Sequence, residues 1–249
     1  MHRRKAAERK NMLLFYVRHG DPIYNPDSLT PLGHRQAEAI AKRFAVYGLD
    51  EIYSSPSVRA KQTAQPTCEV LKKAPTILDW CCESRAWAQM TVEYEPGKMT
   101  WGYNHQPTKE LFLSPEVRSL GSKWYTHPAF EGTKFADGVA RVEGEADKLL
   151  LSLGYRHDRE RGGYIAENHT DKRVALFAHE GFGMSFLSAV LGIPYNEFAT
   201  RFGFGFTGMT VIEFSPVNGF CIPKLLQHSN DAHLYREGLG IMYHNRLPI

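Results

Sequence analysis

The chain has 249 residues, 43% hydrophobic and 23% charged, with 30 Lys and Arg against 27 Asp and Glu for a formal net charge of +3. That balance describes a globular protein and excludes fibrous and disordered chains. No segment approaches the ~20 apolar residues needed to span a bilayer, and the excess charge is too small to mark a nucleic-acid surface.

The apolar run Leu13–Val17 is short, β-branched and aromatic, and Arg18-His19-Gly20-Asp21 follows at once. It is too short for a signal-peptide core and lacks a small-residue cleavage site. It reads as a buried strand, and in open α/β sheets ligands bind at the C-terminal end of such a strand. The residues before it, 1–11, form a basic extension carrying Arg3, Arg4, Lys5 and Lys10, and 12–249 reads as a single domain. Leu29-Thr30-Pro31-Leu32-Gly33 marks a helix start, with Thr30 as N-cap and Pro31 in the first helical position. Ala37, Ile40, Ala41 and Phe44 share one face of this helix, which stops near Gly48. A strand over Glu51–Ser54 then leads through Ser55-Pro56-Ser57, where either serine can cap, into a helix with Arg59 in its first turn.

A third strand is expected over Thr76–Trp80, ending near Glu83. Through 84–137 prolines and glycines interrupt a stretch rich in Trp and Tyr, read as a lid inserted into the domain, with short helices around Pro115–Tyr125. A helix over Asp137–Leu153 is closed by Gly154, and Tyr155–His169 reads as polar and turn-like. Arg173–Ala178 is the clearest buried strand and ends in His179-Glu180-Gly181. A helix through Met184–Leu191 stops at Gly192, and sheet elements are expected over Thr207–Phe214 and Gly219–Leu226. The fold class is α/β, a three-layer α/β/α sandwich around a mostly parallel sheet with an antiparallel edge strand near the C-terminus. The final stretch Tyr235–Ile249 either caps the monomer core or supports a homodimer. Cys68, Cys81, Cys82 and Cys221 form no C-x-x-C pair or plausible disulfide framework, which points to a reducing, cytoplasmic setting.

His19 and His179 each stand at the end of a buried strand, before a glycine-containing turn. Taken singly, either could be a hydrogen-bonded histidine at a sheet edge. Arg18 and Arg59, both near strand ends that lead to helices, alter the reading. Guanidinium forks match phosphoryl oxygens bidentately, and helix N-termini offer N–H groups to the same anion. Such a pocket predicts a phosphate ligand, while spacing alone also leaves Arg59 open to a surface ion pair.

Together, Leu14-Phe15-Tyr16-Val17-Arg18-His19-Gly20, Leu29–Ala37, Ser54–Ala64 and Ala178-His179-Glu180-Gly181 resemble the histidine phosphatase superfamily, in its phosphoglycerate mutase-like branch. The R-H-G, L-T-x-x-G-x-x-Q-A, S-x-x-x-R-x-x-x-T-A and final-histidine motifs occur in family order over about Met12–Phe214. The resemblance implies a phosphoglycerate mutase-like fold and hydrolysis of a small-molecule phosphomonoester through phosphohistidine, with no cofactor and no metal. It implies His19 as nucleophile, Arg18, Arg59 and His179 as ligands of the phosphoryl oxygens, and Glu83 as leaving-group acid, with Asp79 the weaker alternative. The chemistry supports these roles. Imidazole attacks phosphorus only through an unprotonated nitrogen, and two arginines with a protonated His179 offset charge on the equatorial oxygens. The acid protonates the departing alcohol and then deprotonates water. A mutase-like phosphotransferase is the first alternative, disfavoured because nothing after Glu83 matches the mutase substrate loop. A pocket that docks a phosphorylated protein without turnover is the second, and it has no need of a nucleophile paired with an acid.

Several residues depart from the family pattern. Glu180 stands where glycine is common, with solvation at the surface as the plain reading and tuning of His179 or selection of a positively charged substrate as alternatives. The turn Gly20–Asn25 lacks the usual acidic-threonine version, so different side-chain contacts are expected there. Tyr24, Trp87, Trp101 and Tyr103 are candidate substrate-lid residues; with Tyr94, Trp124 and Tyr125, the aromatics either cover a bulky leaving group or form a small core. Lys98, His105, Lys109, Lys123 and His127 read as a scattered charged face, and the remaining histidines show no metal-ligand spacing.

Overall fold

The computed structural model of the chain describes residues 11–240, so most of the basic extension and the end of the C-terminal stretch, 241–249, lie outside the described residues. In chain order, β1 (Met12–Arg18) is followed by the hairpin β2 (Pro22–Tyr24) and β3 (Asp27–Leu29), α1 (Pro31–Tyr47), β4 (Glu51–Ser54), α2 (Val58–Leu71) and β5 (Thr76–Ile77). A 3-10 turn at Asp79–Cys81 precedes α3 (Glu83–Met90), the hairpin β6 (Thr91–Glu95) and β7 (Lys98–Trp101), then α4 (Gln106–Phe112), α5 (Pro115–Ser119) and α6 (Phe135–Ser152). Next come β8 (Tyr155–Asp158), β9 (Gly163–Ala166), β10 (Arg173–Ala178), α7 (Glu180–Leu191) and α8 (Tyr195–Ala199). The described chain closes with β11 (Met209–Phe214), β12 (Phe220–Cys221), β13 (Lys224–Asn230) and α9 (Ala232–Arg236). No helix among the described residues is long and apolar enough to cross a membrane.

The central sheet has six strands in the order β13-β11-β1-β10-β4-β5. β1, β10, β4 and β5 run parallel, while β11 pairs antiparallel with both β1 and β13. A parallel strand buried on both faces must be apolar almost throughout, and β1 and β10 are. Their side chains alternate between two layers. Phe15, Val17 and Phe177 pack with Ile40 and Phe44 of α1 and Ala64 of α2. Leu14, Tyr16 and Leu176 pack with Val142 and Leu150 of α6 and Phe182 and Phe186 of α7. Each large side chain so buried stabilises the fold by about 1.5–3 kcal/mol, and two such layers make the three-layer sandwich. On the outer side of α1, Leu234 and Leu239 bury against Ala39, so this part of the C-terminal stretch caps the chain's own core.

Helix α1 starts as its sequence dictates: the Thr30 hydroxyl accepts from Gly33 N at 3.0 Å, with proline in the first turn. Other elements differ from the sequence reading, each for a local reason. The third strand is only Thr76–Ile77, because the chain then turns inward to bury Cys81; Glu83 therefore opens a helix instead of ending a strand. Helix α7 begins at Glu180, four residues before Met184, its glycines being helical because of crowding. A Cβ on Gly181 would meet the Trp101 ring at 2.4 Å, and one on Gly183 would meet Tyr16 at 2.8 Å. The polar 155–169 stretch is a hairpin, anchored by the buried rings of Tyr155 and Tyr164. The expected Gly219–Leu226 element is two strands in different sheets, separated at Pro223, which has no N–H to donate.

The 84–137 stretch divides in two. Tyr94 is exposed and Trp87 half-exposed, whereas Phe112, Trp124, Phe130 and Phe135 belong to the main core, with ring centroids 5.0 to 5.6 Å apart around Phe112. Emptying that centre leaves a cavity that these neighbours cannot close. Phe112→Ala is expected to cost about 3–5 kcal/mol, read by urea unfolding as one cooperative transition shifted as a whole; an early partial transition would mean that this stretch folds apart from the sandwich.

Candidate active site

Because β1 and β10 are adjacent, parallel and in register, with Arg18 opposite Ala178, the next residue of each strand leaves the sheet at the same place. His19 N donates to Ala178 O at 2.9 Å, and the His19 and His179 rings lie 5.3 Å apart. Below them Tyr16 is fully buried; its hydroxyl accepts from His179 N at 3.2 Å and donates to His179 O. The turn after His19 is held by backbone packed on backbone. A Cβ on Gly33 would sit 2.2 Å from Asp21 O, and one on Gly20 would sit 2.7 Å from Gly33 O. Asp21 ties the same turn to α1, its carboxylate accepting from Thr30 Oγ1 at 2.6 Å and its N–H donating to Gln36 at 2.8 Å.

The protonation of both rings follows from their partners. His19 Nδ1 lies 2.7 Å from Gly20 O, which can only accept, so Nδ1 carries the hydrogen and Nε2 keeps its lone pair. Burial, reinforced by the Arg18 charge and then by Arg59, pushes the His19 pKa down to about 3. His179 Nδ1 lies 3.1 Å from Arg59 Nη2, which can only donate; the ring hydrogen therefore sits on Nε2 and points at Ser55 Oγ, 2.8 Å away. Burial and then the neighbouring His19, Arg59 and Arg18 hold His179 well below its ordinary value. Burial above all, with the two arginines behind it, favours the neutral ring in this setting; the imidazolium expected from the sequence belongs to the state with a phosphoryl group bound.

Each arginine already faces a carboxylate. Arg59 pairs with Asp27 at 2.7 Å, and its guanidinium carbon lies 5.5 Å from the Tyr24 ring centre. Arg18 pairs with Glu180 at 2.9 Å, donates to Phe204 O and lies 4.2 Å from the Phe206 ring centre. Arg18 Nε and Arg59 Nε are buried and have no hydrogen-bond partner. Glu83 accepts from Gly181 N at 3.0 Å and Phe182 N at 2.9 Å, in the first turn of α7. Burial raises its carboxyl to about 7, against the lowering by these two N–H groups and the arginines.

Arg18, His19, Arg59, Glu83 and Glu180 line one cavity of about 540 Å³ with Tyr24, Trp87, Trp101 and Tyr103, and His179 adjoins it through Arg59 and His19. All nine residues singled out in the sequence for this site are therefore brought together. Asp79 is not among the lining residues, nor are Lys98, His105, Lys109, Lys123 or His127. Glu180 is not a solvated surface carboxylate, since its side chain is 16% exposed and ion-paired. The sequence reading missed Asp27, Tyr16 and the contact of Ser55 with His179. No motif marks Asp27, which reaches Arg59 only through the β2–β3 hairpin, and Tyr16 reads as one more apolar strand residue. Among the described residues no group of three or more His, Cys, Asp or Glu could hold a metal ion.

Fold and cavity define an α/β protein with a histidine–arginine pocket at the C-terminal ends of two parallel strands. Residues 14–221 match the histidine phosphatase superfamily (branch 1), and the chain belongs to that family. It is a histidine-phosphatase-family hydrolase, in a family with phosphatase and mutase chemistry on small phosphorylated metabolites. A protein of Hydrogenobacter thermophilus named "Putative phosphoserine phosphatase 2" is 27% identical over 153 residues, covering 58% of this chain and 68% of that one. The structure of phosphoserine phosphatase from Entamoeba histolytica with phosphoserine superposes with a TM-score of 0.57 at 20% identity, over 90% of this chain and 99% of that one. A mycobacterial glucosyl-3-phosphoglycerate phosphatase with inorganic phosphate gives 0.56 at 20% identity, over 89% and 98%.

Burial of these groups has a consequence for stability. His19, His179 and His233 are held below the ordinary histidine value of 6.5, with His19 near 3 and His233 near 4. Unfolding lets them take up protons, so their contribution is complete above pH 6.5 and is lost as pH falls toward the folded values, at up to about 1.4 kcal/mol per pH unit each. Glu83 acts in the opposite sense, since its raised value makes the native state the better proton binder between about 4.5 and about 7. With His228 also lowered by burial, four histidines outweigh the two raised carboxyls, Glu83 and Glu143, and the urea midpoint is expected to drop from pH 6.5 to 5. A flat or rising midpoint across that interval counts against neutral buried histidines.

Proposed function

We propose that the protein hydrolyses phosphomonoesters of small metabolites through a phosphohistidine on His19. The observation that carries this reading is the His19 Nδ1–H bond to Gly20 O, which aims an unprotonated Nε2 into the cavity that also holds Glu83. Arg18 and Arg59 bring guanidinium donors to the phosphoryl oxygens, and a dianion beside His179 favours its imidazolium, supplying a third donor as substrate binds. His19 Nε2 attacks phosphorus, the ester P–O bond breaks, and the departing oxygen takes the Glu83 proton. Glu83, now a carboxylate, removes a proton from water as its oxygen attacks phosphorus; the P–N bond breaks, releasing inorganic phosphate and restoring His19 and the Glu83 acid. A carboxyl near 7 serves both steps, because it spends comparable time in each protonation state at neutral pH. Four free cysteines fit a reducing, cytoplasmic setting.

His19→Ala is expected to abolish phosphate release and acid-labile phosphoenzyme labelling. Glu83→Gln is expected to slow alkyl phosphates by about 10²–10⁴-fold, while p-nitrophenyl phosphate, whose leaving group needs no proton, gives a burst of nitrophenolate before a slow steady state. Equal loss on both substrates without a burst would remove Glu83 as the acid. Phosphoryl transfer to an acceptor alcohol, with no free phosphate, would select the phosphotransferase reading.

For wild type on alkyl phosphates the first step needs Glu83 protonated, so kcat is expected to fall as pH rises through about 7. No acid limb from His19 should appear above pH 4, because its folded value is about 3. A loss of activity centred near pH 6 would instead show that His19 must shed a proton in the working range.

A further inference from the structure

The charge in the cavity is unusual for a site that is to receive a dianion. Both arginines are already matched, Arg59 by Asp27 at 2.7 Å and Arg18 by Glu180 at 2.9 Å, and both histidines are held neutral. A phosphoryl dianion entering here meets two arginines whose charge is already offset, by Glu180 within the cavity lining and by Asp27 outside it. The side chains of the Arg18–Glu180 pair are 6% and 16% exposed, so bulk water and salt screen them poorly. Glu180 belongs to the wall of the cavity that also carries Glu83, where the leaving group would lie.

The remainder of that wall is aromatic. Trp87 and Trp101 meet edge to face at 5.0 Å, and Trp101 stacks on Tyr103 at 5.6 Å. Gly181 is what lets Trp101 lie against the start of α7, next to Glu180. Tyr24, also lining the cavity, already has the Arg59 cation near its ring, at 5.5 Å. Aromatic faces beside a poorly solvated carboxylate are the combination that binds an organic cation. The same carboxylate repels a substrate that carries a second anionic group.

We propose that the preferred substrate is a phosphomonoester whose alcohol carries an ammonium group and no carboxylate, an aminoalkyl or quaternary ammonium phosphate, and that Glu180 is the residue selecting it. This rests on the hydrolytic reading above and deepens it. The phosphoryl end docks on Arg18, Arg59 and His179, displacing Glu180 from Arg18; the freed carboxylate turns to the ammonium group, with Trp87, Trp101 and Tyr103 around it. The substrate thus returns the counter-charge that its phosphate takes away. Glu180 acts here as a specificity residue and takes no part in bond making.

The test compares two isosteric esters, phosphocholine and 3,3-dimethylbutyl phosphate, which differ only in a quaternary nitrogen against a quaternary carbon. The readout is the ratio of kcat/KM within one protein, so a general change in Arg18 caused by substitution cancels. Wild type is expected to favour phosphocholine by at least about tenfold, and Glu180→Gln to bring the ratio near one. The same substitution should raise kcat/KM for 3-phosphoglycerate relative to both. A wild-type ratio near one, or a preference that survives Glu180→Gln, overturns the proposal. If no ester, including p-nitrophenyl phosphate, is turned over, the hydrolytic reading fails by itself. Calorimetric dissociation constants for the same two esters then decide the present proposal, with equal constants overturning it.

Discussion

The site rests on one constraint, the parallel pairing of β1 with β10 in a register that sets Arg18 opposite Ala178. Two buried strands ending level with one another deliver two histidines to one point of the sheet edge, although 160 residues separate them in sequence. The apolar faces that fix the register are the faces that bury α1, α2, α6 and α7. A slip of one residue would turn every core side chain to the wrong layer, so the placement of the histidines is as stable as the core itself.

Electrostatics at this edge follows from burial more than from pairwise attraction. His19 loses its proton because it is out of water beside two guanidinium groups, and burial raises Glu83 to about 7 although two backbone N–H groups bond to it. Opposite shifts in groups that share a cavity allow a bare imidazole nitrogen and a carboxylic acid to coexist at one pH, which the proposed reaction requires. The hydrogen-bond partners then choose the atom. Gly20 O fixes which nitrogen of His19 is bare, and Arg59 fixes which nitrogen of His179 bears hydrogen.

Much of this was legible in the sequence where local signals were strong. Leu13–Val17 and Arg173–Ala178 could only be buried strands, Thr30 and Pro31 could only begin a helix, and the motif residues Arg18, His19 and His179 stand at strand ends with Arg59 in the first turn of α2. Glu83 was found as a residue but given the wrong element, because a two-residue edge strand leaves little pattern. Helix α7 was started late, since Gly181 and Gly183 look like turn residues until Trp101 and Tyr16 are seen pressed against them. Glu180 stands out in the sequence as a departure from glycine, but its pairing with Arg18, like the pairing of Asp27 with Arg59, is beyond local reading. Their significance comes from reaching an arginine across space, and nothing in their neighbours in sequence specifies that distance.

The two carboxylates that hold the arginines also bear on the end of the catalytic cycle. Inorganic phosphate bound between Arg18 and Arg59, as the proposed reaction requires, would compete with Glu180 and Asp27 for the arginine N–H donors, and each carboxylate is tethered within reach of its arginine. A tethered competitor acts at a high effective concentration whatever the bulk solution holds. Under the proposed reaction such a tethered carboxylate would speed the departure of product and would disfavour occupation of the pocket by free phosphate.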